Sequence, residues 1–536
     1  MLRSATLLPA ALALLLSGCT DPPPPAAGEA RPVFSADSAR VRVAAGAQYN
    51  RRGWWWRHIW GLHYRTLWAV PVSAPVLQLG TAGLQPRQLG GSFQTTALRL
   101  RTPDGRAFVL RSVDKDLSSS MASPTLRRIA GPVLRDQTCA APPYGAYVAA
   151  ALAQATGVYH TNPRLVYLQA DSVLRRLRAA LPAGLYLLEE RPDHDQRHAP
   201  SFGGAGLVVG SEAMLQAVHT RPGTSIAARA YLRARLLDML VGDWSRRADQ
   251  WRWARFEAGG HTEFRPIPRD RDQAFFRFDD GWLTRLISWV RPRYQSFAPS
   301  LEMAAVEPLT LTGRPLDQTA LALLPATAFQ AEADSLVRRL PDTVLLQALQ
   351  TAPPEVRAQL VRELLPALQA RRAALPAAAA RYYQLLQEDA VLTGTDAAER
   401  FVLTAAGPGR VQVQMWARQT GRPDSLLGQQ AYDVRRTTRL RLYGLGGNDE
   451  FVLRGALAPG FAVWLDGGVG TNSYRQAGPP ATLGLGFTVY ANPTDAGQLA
   501  RVVRRPALPA TADAASWVVG QYRLNFGKPQ VATPKQ

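Results

Sequence analysis

The chain has 536 residues, with 46% hydrophobic and 19% charged residues, a composition that excludes an intrinsically disordered protein. The length predicts two or three domains. The formal net charge of +21 favours contact with anionic lipid, phosphorylated glycan or nucleic acid. No nucleic-acid partner is expected, because no basic run is interleaved with aromatic residues as in a nucleic-acid groove.

The N-terminus has the pattern of a lipoprotein signal peptide over residues 1–19. Arg3 precedes an apolar stretch that is too short for a stable membrane anchor, and the stretch ends in "LSGC" (16–19). This ending resembles a bacterial lipobox and predicts a lipid on Cys19, with a Pro-rich tether over 20–50. The alternatives are an ordinary secretory signal or a single anchor helix. We therefore expect a protein of the cell envelope, anchored by lipid, with the outer membrane favoured.

A tryptophan-rich segment follows the tether. Five Trp residues fall within the fifteen residues 54–68, next to several Arg residues. Such amphipathic rings suit a membrane interface, and they equally suit a clamp packed against a domain. The clamp is the favoured interpretation.

The next elements alternate between strands and helices. The stretch 97–115 predicts a β-hairpin with "PDG" at its turn, and 251–257 with 262–268 predicts a second one. Helices are predicted over 123–135, 144–156 and 227–242, and strands over 164–168 and 184–191. Gly242 is the expected C-cap of the third helix.

The C-terminal half changes in character twice. An Ala/Leu-rich helical region covers roughly 316–390 and is broken at Pro341 and at "APP" (352–354). From about 395 the apolar period becomes two, which predicts a small β-domain. "YGLGGNDEF" (443–451) is similar to one turn of a calcium repeat, but one copy is not a site and a β-turn is the favoured interpretation. Cys139, the only thiol besides Cys19, is expected to be buried and inert.

One lysine stands out among the basic residues. Of the 62 basic residues only Lys115, Lys528 and Lys535 are lysine. Lys115 follows the first predicted hairpin, and the acidic pair Asp270 and Asp272 follows the second. Carboxylates after a strand, combined with a lysine from an N-terminal hairpin, are the parts of a magnesium–nucleotide site. The alternative is a surface ion-pair patch in which these aspartates pair with Arg269 and Arg271.

The same segments carry a resemblance to a known family. "RSVDKD" (111–116), "GLYLLEERPD" (184–193) and "PIPRDRDQAF" (266–275) are similar to the strands and the acidic element of atypical kinases of the CotH, HipA and secretory-pathway type. The resemblance covers roughly residues 60–300. It implies a two-lobed α+β kinase-like core that binds ATP with Mg or Mn.

Roles can be transferred by position within this resemblance. Lys115 would hold phosphate, and Asp270 would be the main metal ligand with Asp272 beside it. Asp243 and Gln250 occupy positions of the family's metal-binding loop. The loop's catalytic Asp is replaced by Ser245, whose hydroxyl is too weak a base, and Asp249 is only a distant substitute. The resemblance therefore implies degraded or lost phosphotransfer.

The predicted layout has a kinase-like domain (51–300), a helical extension (301–394), a β-domain (395–500) and a weakly ordered basic tail (501–536). The whole of 50–470 also resembles the middle region of large outer-membrane proteins that carry a metallophosphoesterase domain before it and a BamA-type surface-antigen barrel after it. Two functions are left open. One is a nucleotide or phosphate site, with phosphotransfer to a protein or envelope glycan if it is active. The other is a non-catalytic scaffold of an outer-membrane assembly.

Overall fold

The structure is a computed structural model. It describes residues 31–520 except for 91–96, 121–122, 170–173, 175–176, 178–180, 272, 292–293, 420, 458–459, 478–485, 498, 500–501, 507, 509–512 and 519. The predicted signal peptide with Cys19, the first part of the tether, Asp272 and the end of the basic tail lie outside the described residues. Within the described part, no helix is long and apolar enough to cross a membrane.

The first lobe is built on a mixed eight-stranded sheet in the order β1-β2-β3-β7-β8-β6-β5-β4. Its strands are β1 (Val33–Phe34), β2 (Arg40–Ala44), β3 (Pro71–Leu77), β4 (Gln85–Gly90), β5 (Ala97–Arg101), β6 (Ala107–Ser112), β7 (Arg164–Leu168) and β8 (Gly184–Glu190). The helices of this part are α1 (Trp54–Trp60), α2 (Arg65–Ala69), α3 (Pro124–Asp136) and α4 (Gly145–Thr156). The predicted hairpin, both predicted strands and both predicted helices are confirmed.

The tryptophan-rich segment divides into two groups. Trp56 and Trp68 are buried, and their indole N–H groups donate to Asp136 Oδ2 (2.6 Å) and to the carbonyl of Ala141 (2.9 Å). Trp54 and Trp55 are 60% and 73% exposed. The clamp interpretation is therefore confirmed for the first pair only.

The second lobe combines helices with a four-stranded sheet in the order β10-β12-β11-β9. Its elements are β9 (Leu207–Gly210), α5 (Ser211–Thr220), β10 (Thr224–Ile226), α6 (Ala228–Val241), β11 (Trp251–Ala258), β12 (His261–Pro268) and α7 (Trp282–Val290). The buried α6 ends at Gly242 in the left-handed conformation, as predicted, and β11 and β12 form the predicted hairpin. The predicted two-lobed α+β class is confirmed by these elements.

A helical region packs against α6 and shares its apolar core. Its helices are α8 (Met303–Thr310), α9 (Arg314–Leu321), α10 (Ala326–Arg339), α11 (Asp342–Leu349) and α12 (Arg357–Glu388). The chain breaks at Pro341 and near 352–354 as predicted, and Pro341 is the N-cap of α11.

The C-terminal part is a coil of stacked strands. Two five-stranded sheets have the orders β13-β17-β19-β21-β22 and β16-β15-β14-β18-β20. The strands are β13 (Asp389–Thr393), β14 (Glu399–Ala405), β15 (Arg410–Ala417), β16 (Ser425–Asp433), β17 (Arg439–Tyr443), β18 (Glu450–Arg454), β19 (Ala462–Asp466), β20 (Ser473–Ala477), β21 (Phe487–Ala491) and β22 (Val503–Pro506). From β16 to β21 successive strands alternate between the two sheets. Pairs within each sheet are parallel except for the antiparallel β14–β15 and β15–β16 pairs.

A ladder of polar side chains joins the turns of this coil. The Glu399 N–H donates to Asp449 Oδ1 (2.8 Å), the Asp449 N–H to Asn472 Oδ1 (3.0 Å), and the Asn472 N–H to Asp495 Oδ1 (2.9 Å). The last two steps each span 23 residues. "YGLGGNDEF" thus joins β17 to β18 through a bend rather than the predicted β-turn, and it belongs to a stacked series rather than standing alone.

The ladder makes the stability of the coil depend on pH. Burial, followed by the charge of Glu399, raises the pKa of Asp449 to about 9. The folded state therefore holds a proton that the unfolded chain releases near pH 4. The stability contributed by this proton is complete below about pH 4 and is lost as the pH rises toward 9.

We expect Asp449→Asn to reduce this dependence, because the amide keeps the acceptor for the Glu399 N–H and never ionises. Between pH 5 and 9 the wild type should lose at least about 1 kcal/mol more unfolding free energy than the variant. Urea denaturation at both pH values measures the difference. Asn472→Asp is the matched control and should add a pH dependence. Parallel pH profiles for the wild type and Asp449→Asn would contradict the prediction.

Candidate functional site

A polar cleft of about 330 Å³ separates the first sheet from the second lobe. Strand β6 contributes Val109 and Arg111, and the end of β8 contributes Glu189 and Glu190. The second lobe contributes the turn before β11 and the residues that follow β12. The remaining lining residues are Gly90, Ala97, Arg99, Thr161, Arg191, Pro192, Asp249, Gln250, Arg252, Arg269 and Asp270.

Asp270 lies in the cleft in an unusual backbone conformation. Its φ is +58°, in the left-handed region that few residues other than glycine adopt. Its carboxylate forms a salt bridge with Arg111 from the opposite lobe, and both side chains are largely buried. An ion-paired residue with positive φ that faces a cleft is a candidate functional position.

Arg269, the neighbour of Asp270, has the opposite environment. No carboxylate among the described residues lies within salt-bridge distance of its guanidinium. Burial, together with the positive charges of Arg252, Arg111 and Arg191, lowers the pKa of Arg269 to about 9 against the opposing effect of Asp270. The cleft therefore holds more positive charge around Arg269 than its carboxylates neutralise.

Glu189 connects the cleft to Lys115. Burial raises the pKa of the Glu189 carboxyl, Asp270 raises it further, and the charges of Arg111 and Lys115 oppose the rise. Lys115 and Asp270 thus both lie within electrostatic range of one buried carboxyl group.

Lys115 itself lines a different cavity. It stands three residues beyond the end of β6, where its carbonyl accepts hydrogen bonds from Arg135 Nη1 (2.7 Å) and Thr138 Oγ1 (2.8 Å). Its side chain contributes to a second cavity of about 390 Å³, whereas Arg111 lines both spaces. The residue from this hairpin that contacts Asp270 is therefore Arg111.

Two other predicted residues, Asp243 and Ser245, lie outside the lining of the cleft. Asp243 is buried, forms a salt bridge with Arg246, and accepts the Ser245 N–H at 3.0 Å. Burial raises the pKa of the Asp243 carboxyl, and Arg246 opposes that rise. Asp243 therefore holds the loop through the Ser245 N–H and the Arg246 side chain.

Asp249 and Gln250 do line the cleft together with Asp270. Arg247 pairs with Asp249 through two contacts of 3.1 and 3.2 Å, and Gln250 Nε2 donates to Asp249 Oδ2 at 3.4 Å. Three of the predicted site residues are thus brought together, but the two carboxylates are each paired with an arginine.

The magnesium ion implied by the resemblance stays a prediction. No group of three or more His, Cys, Asp or Glu side chains in the described ranges is arranged to hold a metal. The Asp270 carboxylate pairs with Arg111, and the Asp249 carboxylate pairs with Arg247. Asp272, the other predicted ligand, lies outside the described residues, so its role stays a prediction.

Arg111 and Arg269 are the cleft residues that the sequence analysis missed. The alternation in "FVLRSV" contained a signal for the first, because Val109 and Arg111 lie on one face of β6 while Phe108 and Leu110 pack in the core on the other. For Arg269 the sequence predicts only a surface ion pair with the neighbouring aspartates.

No protein-family model matches the chain, and no curated protein matches it. Among solved structures, the proinflammatory kinase CtkA of Helicobacter pylori is similar at 7% identity and a TM-score of 0.29, covering 57% of this chain and 98% of that chain. The toxin–antitoxin complex of HipA, HipB and operator DNA from Shewanella oneidensis MR-1 has 12% identity and a TM-score of 0.24, covering 56% and 66%.

The Rio2 kinase of Chaetomium thermophilum, in a complex with ADP, Mg²⁺ and phosphoaspartate, has 13% identity and a TM-score of 0.19, covering 51% of this chain and 74% of that chain. Since all three TM-scores lie below 0.5, the function of this chain has to be argued from the cleft itself.

The pairing of Arg111 with Asp270 can be tested by a double-mutant cycle. Arg111→Met should lower the unfolding free energy by about 2 kcal/mol, because it leaves a largely buried carboxylate without its cation. Adding Asp270→Asn should recover part of that loss, since asparagine tolerates positive φ and carries no charge. Chemical denaturation measures both effects. Additive losses in the double variant would show that the two side chains do not interact.

Proposed function

We propose that the cleft binds a phosphate-bearing ligand, with a nucleotide as the leading candidate, and that the chain is a binding module that does not transfer phosphate. The observation that carries this proposal is the surplus of positive charge around Arg269 in the cleft, whose lining has five arginines and four carboxylates. A phosphate group would supply the missing anion, and guanidinium groups bind phosphate through paired hydrogen bonds.

The rest of the cleft suits the organic part of such a ligand. Ala97, Val109 and Pro192 provide apolar contacts, and Glu190 and Gln250 provide polar ones. Pockets of this kind commonly orient a ligand with a few polar groups against an apolar wall. The resemblance of 60–300 to atypical kinases agrees with a nucleotide in this position.

The charge pairing argues against phosphotransfer. A catalytic base must be free to accept a proton from the acceptor hydroxyl. Ser245 has no carboxylate, Asp249 is paired with Arg247, and Asp270 is paired with Arg111. We therefore propose that the cleft holds a phosphate ligand and does not transfer phosphate to a protein or an envelope glycan.

We also propose that the module acts in the cell envelope, attached by lipid on Cys19. The motif "LSGC" and the following Pro-rich tether support this location. The net charge of +21 supports contact with anionic envelope components, so a scaffold role in an envelope assembly is compatible with ligand binding.

Binding of inorganic pyrophosphate and of ADP tests the cleft. We expect both to bind without added metal, since the arginines supply the charge. Arg269→Met should weaken each about tenfold or more, as for the loss of a charge-assisted contact. Isothermal titration calorimetry on the purified chain measures this.

Arg265→Met is the matched control for that experiment, because Arg265 lies on β12 four residues earlier and pairs with Glu263 at 2.7 Å. This variant should bind like the wild type. Binding that is unaffected by Arg269→Met, or that requires Mg²⁺, would refute the arginine-based proposal.

The lipid anchor is tested by metabolic labelling with a fatty acid analogue. Cys19→Ala should abolish the label, because it removes the proposed acceptor thiol. Cys139→Ala, the matched control, should keep the label, since Cys139 is buried in the first lobe. A label that persists in Cys19→Ala would refute the proposal.

A further inference from the structure

The exposed tryptophans of the described residues lie on two neighbouring helices. Trp54 and Trp55 belong to α1, whereas Trp282 and Trp289 belong to α7 and are 67% and 79% exposed. Helices α1 and α7 pack against each other. We call the exposed side chains of these two helices the tryptophan face. Since tryptophan is usually well buried in proteins, four exposed rings on two adjoining helices need a physical reason.

Helix α7 turns large apolar side chains toward solvent and two polar side chains toward the protein. Trp282, Leu286 and Trp289 recur at the spacing of one helix face, and all three are exposed. Thr284 is buried, and the Ser288 hydroxyl donates to a backbone carbonyl of the second lobe at 3.3 Å. A helix on a soluble surface normally has the opposite arrangement. The exposed side of α7 is therefore built for contact with an apolar environment.

The start of α7 is fastened to the end of α1. A Cβ atom at Gly281 would lie 2.4 Å from the Gly61 nitrogen, so the absence of a side chain lets the two segments approach this closely. The neighbouring Asp280 accepts the His63 backbone N–H and forms a salt bridge with His63 Nδ1 at 2.9 Å. These contacts hold the two helices together, and the outward direction of the tryptophans follows from them.

The charges of the tryptophan face are compatible with an anionic surface. Helices α1 and α7 contain Arg57 and Arg285 and have no Asp or Glu. The acidic residues nearest to α7 along the chain are Asp279 and Asp280, of which the second pairs with His63. No carboxylate of either helix would therefore repel an anionic lipid head group.

We infer that the tryptophan face docks the protein onto the surface of a lipid bilayer that contains anionic lipid. The rings would lie at the level of the head groups, with α1 and α7 along the membrane surface. Tryptophan is enriched at this depth because its ring combines a large apolar surface with an N–H donor. Short helices with aromatic residues on one side bind to bilayer surfaces in this way.

The proposed lipid anchor favours a bilayer over a protein partner. Residues 20–30 separate Cys19 from the first described residue and would span at most about 40 Å when fully extended. An anchored chain would therefore stay close to the membrane, where a docking face can act. The choice of a bilayer as the occupant rests in part on the anchor proposed at Cys19, whereas the exposed helix face is observed independently of it.

Quenching of tryptophan fluorescence by brominated lipid tests the docking. The purified full chain is mixed with vesicles of phosphatidylcholine and phosphatidylglycerol that carry brominated acyl chains. We expect a loss of emission relative to vesicles of the same composition without bromine, because the exposed rings enter the bilayer. A chain that carries lipid on Cys19 but shows no quenching would be anchored without docking, which would overturn the inference. Quenching of a chain without that lipid would support docking and separate it from the anchor.

A pair of matched variants locates the contact. Leu286→Glu places a carboxylate in the middle of the exposed side of α7 and keeps every tryptophan. It should abolish most of the quenching, because moving a charge into an apolar environment is costly. Leu426→Glu is the control, since Leu426 on β16 is 45% exposed and Leu286 is 44% exposed. The control should be quenched like the wild type. Unchanged quenching in Leu286→Glu, or an equal loss in both variants, would contradict the inference.

Two measurements on the wild type keep the test decisive if Leu286→Glu does not fold. Amide hydrogen exchange in α1 and α7 should slow down on the vesicles, while exchange in β16 should not change. Equal exchange rates in α1 and α7 with and without vesicles would refute docking. Analytical ultracentrifugation without lipid examines the other occupant, a second copy of the chain. A dimer in solution, combined with no quenching by the vesicles, would assign the tryptophan face to contact between protein copies and overturn the inference.

Discussion

A buried set of three arginines and three aspartates at the end of α6 holds the second lobe and the cleft together. Its charges balance, and its contacts link α6 to the loop after it, to α9 and to the residues after β12. Arg235 pairs with Asp317 through two contacts of 2.9 and 3.1 Å. Asp238 forms salt bridges with Arg246 (3.4 Å) and Arg271 (3.2 Å). The sixth member is Asp243, which pairs with Arg246. Removing one member of such a set leaves a buried charge without compensation, which costs several kcal/mol.

This set also explains the geometry of the cleft. Arg246 Nη1 donates to the carbonyl of Arg269 at 2.7 Å, so the same arginine that satisfies Asp243 positions the backbone on which Asp270 follows. Within the set every cation has its carboxylate, whereas no carboxylate of the described residues forms a salt bridge with Arg269. In this arginine-rich chain, the arginines of the neutral set have a structural role, and Arg269 in the adjacent cationic cleft is the proposed ligand-binding arginine.

The sequence predicted those features that depend on short-range patterns. The hairpins follow from alternation, and the end of α6 at Gly242 and the start of α11 after Pro341 follow from capping. The cleft depends on long-range pairing, because Arg111 and Asp270 are separated by 159 residues. The scarcity of lysine singles out Lys115, whereas the alternation within β6 places Arg111 on the same face as Val109, toward the cleft. Whether Asp272 contributes to the site is still a prediction.

The coil was missed for a related reason. Its last two ladder steps span 23 residues, but the hairpin β15–β16 is inserted in the first step and lengthens it to 50. A fixed period was therefore not visible in the sequence around "YGLGGNDEF". This arrangement also restricts how the chain can change in length. One complete turn of the coil can be gained or lost, or a hairpin such as β15–β16 can be inserted within one turn. Each of these changes keeps every acceptor of the ladder opposite the next N–H. A gain or loss of a few residues within a turn would move the acceptors out of line along the stack, so insertions and deletions in this region should be tolerated only in these two forms.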